Sequence, residues 1–154
     1  DGTRAPFEPE QYATLAGLLE RFRECFGIRG DNILGLGEVA YPPGRHVAPG
    51  RFFDWDALEG YDSAFLSRRR VAALMRELPE CEDEAEAQGE ILAALREWGY
   101  GLGDSEAHLQ LRLKLMGDRY LGPEERHPPE RLRACARALA NWRHRLARAP
   151  RGGI

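Results

Sequence analysis

A chain of 154 residues has room for one ordinary domain or two small ones. Its 43% apolar and 31% charged residues describe a folded globular protein and exclude extensive disorder, and no run of about 18 apolar residues offers a membrane span. A net charge of −3 excludes bulk attraction to nucleic acid or to an anionic membrane, so partners have to be read from local features.

The chain opens on Asp1 rather than Met, which reads as a processed end or a fragment edge. From Pro9 to Phe26, apolar residues at Tyr12, Leu15, Leu18, Leu19, Phe22 and Phe26 follow one face of a helix, and Gly27 is placed to end it. Asn32 to Leu36 is a short apolar run between turn-forming residues and reads as one buried strand. Tyr41 to Arg51 carries Pro42, Pro43, Gly44, Pro49 and Gly50, a composition that imposes an irregular loop. An aromatic cluster of Phe52, Phe53 and Trp55 follows. A second helix is predicted over Tyr61 to Leu78, with Phe65, Leu66, Leu74, Met75 and Leu78 inward and Pro79 ending it. The acidic stretch Glu80, Glu82, Asp83, Glu84 and Glu86 reads as a linker leading into the first turn of the next helix, where acids suit the macrodipole.

Further helices are predicted at Ala85–Trp98, Ser105–Met116 and Pro129–Ala147. The last has Leu132, Cys135, Ala136, Leu139, Trp142 and Leu146 on one stripe. In the middle one, Leu109, Leu111, Leu113 and Leu115 alternate strictly, a period that favours a strand and argues against the helix. Cys25, Cys81 and Cys135 are widely spaced and read as free thiols. The arginines of the last helix, Arg131, Arg133, Arg137, Arg143, Arg145 and Arg148, surround its apolar stripe on several sides. They read as a solvated face rather than a nucleic-acid element, as does Arg68-Arg69-Arg70.

The stretch from Asn32 to Trp55, with Gly35, Pro43-Gly44-Arg45, Pro49-Gly50 and the Phe53-x-Trp55 pair, resembles the C-terminal signature of N-acetylmuramoyl-L-alanine amidases of the AmpD/AmiD type. The register holds once an insertion at Tyr41 is allowed. Pro6-Phe7, Gln11-Tyr12 and Leu15 are similar to the family's helix opening, and Gly27-Ile28 to that helix's ending. The resemblance implies a zinc hydrolase fold with two histidines and one aspartate on the metal, which leaves one open position for the attacking water. On this chain the first histidine would precede Asp1, the second falls at Leu36 and the aspartate at Ala48. Neither side chain has a lone pair to donate, so no metal ligand, no zinc and no catalytic residue is expected. The family lysine matches His46, and Lys114, the only lysine, lies too far along the chain to be read as its substitute. Arg45, His46, Phe53 and Trp55 are the binding residues that the resemblance offers. Their chemistry alone reads His46 as a hydrogen-bonded surface residue and the two aromatics as the core beneath the loop.

Leu95-x-x-Trp98-Gly99-Tyr100, Leu111, Leu115 and Asp118-Arg119-Tyr120-Leu121-Gly122 resemble a worn three-helix peptidoglycan-binding domain of the type that follows such amidases. The expected fold class is therefore mostly α with a small β contribution. Residues 1–60 would be the C-terminal part of an α/β amidase domain, 61–84 a connecting helix with an acidic linker, and 85–154 the three-helix domain.

The function implied is that of a peptidoglycan-associated, non-catalytic amidase-like protein. The alternative is an active zinc amidase cleaving the MurNAc–L-Ala bond, with its metal and catalytic residues on a missing N-terminal half. Peptidoglycan or muropeptides are the implied ligands and the cell envelope or periplasm the implied location. No nucleic acid is expected. A partner chain, a second copy or the C-terminal helices would have to cover the Pro9–Phe26 helix, because each large apolar side chain buried is worth about 1.5–3 kcal/mol.

Overall fold

The structure, a computed structural model, describes residues 6–40, 48–50, 52–59, 65–78, 84–100, 105–123 and 126–148. Among the described residues it is all-α. The helices are α1 (Pro9–Phe26), α2 (Leu36–Val39), α3 (Arg68–Arg76), α4 (Glu84–Trp98), α5 (Glu106–Tyr120) and α6 (Pro129–Arg148), with single 3₁₀ turns at Gly30–Asn32 and Trp55–Leu58. No helix among them is long and apolar enough to cross a membrane.

α1 has the predicted bounds. Pro9 occupies the first helical turn, where a missing N–H costs nothing, and Gln11 Oε1 turns back to accept from Glu8 N at 2.8 Å. Gly27 ends the helix at φ 65°, a left-handed conformation open to a residue without Cβ. The apolar stripe is used only in part. Tyr12, Leu15, Ala16 and Leu19 pack on a cluster of Phe53, Trp55, Leu58 and Phe65, while Leu18, Phe22 and Phe26 stay exposed.

The predicted strand at Asn32–Leu36 is not formed. A 3₁₀ turn closes at Asn32, Ile33 and Gly35 are extended, and α2 begins at Leu36. A strand needs a neighbour to take its backbone polar groups, and no strand stands beside this segment among the described residues. Side chains take two of them instead: Arg119 Nη2 donates to Ile33 O at 2.8 Å, and Gly35 N donates to Glu38 Oε2 at 2.5 Å. Just beyond the segment, Arg112 Nη2 donates to Ala40 O at 2.5 Å and Arg112 Nη1 to Gly37 O. The small β contribution expected of the fold is not found among the described residues.

The main core lies among α3, α4, α5 and α6. Val71, Leu95, Trp98, Met116, Tyr120, Cys135, Ala136 and Leu139 are buried there, and Trp98 Nε1 donates to Tyr120 Oη at 3.0 Å. α3 begins later than the periodicity suggests, because Ser67 Oγ accepts from Arg70 N and fixes the N-cap; Phe65 and Leu66 are buried just ahead of it. Residues 61–64 and Cys81 lie outside the described residues.

α5 is helical throughout, capped by Ser105, and the strand period of its leucines has a different origin. Residues two apart on a helix point to nearly opposite sides, whereas residues four apart share a side. Leu109 and Leu113 face the main core, and Leu111 and Leu115 face the signature segment. The alternation is two i,i+4 pairs serving two neighbours. α6 pairs its arginines with flanking acids: Arg137 with Glu90 at 3.0 Å and Arg145 with Glu77 at 3.6 Å.

Candidate functional site

The segment from Ile33 to Ala40 is held against α5 by a buried polar cluster. Glu38, on α2, accepts from Gly35 N at 2.5 Å, from Arg119 Nη1 at 2.9 Å and from Tyr100 Oη. Burial alone would lower the Arg119 pKa, but the nearby Tyr120, Glu38 and Tyr100 outweigh it and the pKa is raised. Burial, then the negative charge of Glu38, pushes the Tyr100 phenol well above its ordinary value. At neutral pH the cluster is therefore a fixed arginine–glutamate pair capped by a neutral phenol.

The positions read as metal ligands converge. Gly37 N, next to Leu36, donates to Ala48 O at 2.8 Å, so the two segments run side by side. The Leu36 side chain is 51% exposed and Ala48 is exposed as well, so both present carbon to solvent. No group of three or more His, Cys, Asp or Glu able to hold a metal ion occurs among the described residues. The residues present at these positions do not fit a zinc ion.

Beside this crossing is a cavity of about 200 Å³ between Gly37, Ala48, Pro49 and Gly50 on one side and Leu111, Leu115, Lys114 and Asp118 of α5 on the other. Phe53 and Trp55 line it yet are 7% and 8% exposed, packed edge to face at 4.8 Å. One face of the Trp55 indole is covered by the Arg119 guanidinium, 3.9 Å from the ring centroid. The two aromatics thus serve mainly as core. Tyr12 Oη accepts from Asp54 N at 2.6 Å and joins α1 to the same corner. Arg45 and His46 lie outside the described residues.

Although Lys114 lies far along the chain, α5 carries it to the wall of the cavity, ion-paired to Asp118 at 3.1 Å. Asp118 also stands 3.3 Å from His127 Nε2. The i,i+4 spacing of Lys114 and Asp118 was legible, but nothing local marked which segment they would face. Pro49, Gly50, Phe53 and Trp55 from the first of the two resembling stretches and Leu111, Leu115, Asp118 and Arg119 from the second line this one cavity. No family model, no curated protein and no solved structure matches the chain.

Proposed function

We propose that this chain is a peptidoglycan-associated, amidase-like protein whose own residues do not hydrolyse the bond between the lactyl group and L-alanine. The observation that carries the reading is the backbone hydrogen bond between Gly37 and Ala48. The two segments that would bring metal ligands together are adjacent, and they bring Leu36 and Ala48. A scaffold in which these two segments lie side by side without metal donors suits recognition without metal-assisted attack. Wall association would use the cavity against α5, where the Lys114–Asp118 pair offers a cation and an anion to the amides and carboxylates of a stem peptide. A cell-envelope location follows from that ligand.

Co-sedimentation with purified sacculi tests the reading. The protein should pellet with them and release no peptide from muropeptides. Protein that stays in the supernatant overturns wall association. One equivalent of bound zinc together with amide hydrolysis overturns the non-catalytic assignment in favour of an active amidase.

A further inference from the structure

None of the eighteen residues of α1 is buried, whereas α6 buries Cys135, Ala136, Ala138 and Leu139. Tyr12, Leu15, Ala16 and Leu19 cover one side of the Phe53–Phe65 cluster without being enclosed by it. That cluster has its own anchors on the rest of the molecule. The Arg119 guanidinium stands 3.9 Å from the Trp55 ring centroid and 6.0 Å from that of Phe65. Asp56 Oδ1 accepts from Arg68 N at 2.8 Å, and Ser67 Oγ donates to Glu59 Oε1 at 2.9 Å. The floor under α1 is thus tied to α3 and α5 by interactions in which α1 takes no part.

The chain is also pinned immediately after the helix. Asp31 is buried and accepts from Arg29 Nε at 2.9 Å and from Arg29 Nη2 at 2.6 Å. Gly30 lies so close to the Phe65 backbone that a Cβ there would overlap it. Between this fixed turn and α1 stands Gly27, at φ 65° and with open space where a Cβ would be. A residue without Cβ changes its backbone angles at the least steric cost, so the pivot of any movement of α1 falls there. At its other end the helix meets the floor through Tyr12 Oη, which accepts from Asp54 N at 2.6 Å, and the Phe7 ring lies edge to face against Phe53 at 5.4 Å.

An unburied helix on an independently anchored floor, with a glycine between it and a fixed turn, has the parts of a strap. We infer that α1 opens as a unit about Gly27 while the core of α3 to α6 stays folded. Phe53 and Trp55 belong both to the floor under α1 and to the wall of the cavity beside Ala48, so opening takes away their cover on the side of α1. The strap thereby controls how firmly that wall is held. The inference does not rest on what the cavity binds.

Native-state hydrogen exchange of the unsubstituted chain tests it. The interior amides of α1, from Leu15 to Arg23, should share one protection factor, about 100-fold or more below those of Leu95, Met116 and Leu139. Tyr12→Phe, which removes the bond to Asp54 N, should speed exchange in α1 about three- to tenfold and leave the core amides unchanged. A thiol placed in the floor reports whether opening uncovers it. In a Cys25→Ser, Cys81→Ser background, Leu58→Cys puts that thiol at a buried position, and Cys135 in the same molecule reports opening of the core. A thiol reagent should modify the introduced thiol about 100-fold faster than Cys135, a ratio that holds its meaning even where Leu58→Cys lowers overall stability. The inference is overturned if α1 is as protected as the core or if its protection falls off gradually from one end, as in fraying. It is equally overturned if Tyr12→Phe speeds all amides alike, or if the introduced thiol reacts no faster than Cys135.

Discussion

Arg119 and Glu38 form an ion pair at 2.9 Å with side chains only 3% and 5% exposed, although 81 residues separate them in sequence. The pair ties α5 to the segment before the cavity, and Trp55 lies beneath the guanidinium. Because both charges are desolvated, removing one partner differs in kind from removing both. A single Glu38→Ala change leaves the arginine buried and uncompensated and should lower unfolding stability by about 3–5 kcal/mol. Glu38→Leu combined with Arg119→Met should lose far less than the sum of the single changes. Urea denaturation of the set measures this; additive losses would show that the two residues act separately.

Gly117 and His127 define a second close approach. A Cβ built on Gly117 would overlap the His127 ring, whose Nε2 also stands 3.3 Å from Asp118 Oδ1. Gly117→Ala should cost about 1–3 kcal/mol through overpacking. In a His127→Ala background, which vacates that space, the same alanine should cost under about 0.5 kcal/mol or stabilise, since alanine is the better helix former. An equal penalty in both backgrounds would place the strain elsewhere.

How much of this was legible depended on whether the deciding interaction was local. α1 is set by Pro9, Gln11 and Gly27, all within its own sequence, and its bounds were readable to the residue. The strand expected at Asn32–Leu36 does not form: its Ile33 carbonyl is taken by Arg119, 86 residues away, and its Gly35 N–H by Glu38. The leucine alternation of α5 misled because a helix clasped on two sides needs two apolar pairs rather than one stripe. In the candidate site, Leu36 and Ala48 were placed by register with a resemblance, and their adjacency is a feature of the fold. The buried Glu38, Arg112 and Arg119 were not foreseen, because charged residues are normally read as surface.

The stripe of α1 gives a graded prediction. Leu15 and Leu19 pack on the Phe53–Phe65 cluster, so alanine at either should cost about 1–3 kcal/mol. Leu18 is 48% and Phe26 72% exposed, and serine at these positions should change stability by about 0.5 kcal/mol or less. Thermal unfolding of the four single variants at one protein concentration decides it. Losses at Leu18 and Phe26 as large as those at Leu15 and Leu19 would mean that the whole face is covered in solution.

Cys135 links burial to pH. It is fully buried against the main core, and burial pushes its thiol up to about 12, opposed in part by Arg131. Cys25 is exposed. In a Cys81→Ser background at pH 8, a thiol reagent should therefore modify Cys25 at once and Cys135 only as fast as the protein opens. The same shift fixes the sign of the alkaline response. An unfolded thiol releases its proton near pH 8.5, whereas the native one holds it, so the native state binds more protons as pH rises and unfolding becomes easier. The contribution is intact below about pH 8.5 and is lost between there and about pH 12. Its limiting slope is about 1.4 kcal/mol per pH unit. Tyr100 and Tyr120, both raised by burial, act in the same direction starting near pH 10. Cys135→Ala should therefore flatten the loss of stability between about pH 9 and 10 and leave the steeper fall above it. Unchanged slopes in that lower window, from urea midpoints at each pH, would show that the Cys135 thiol does not carry the effect.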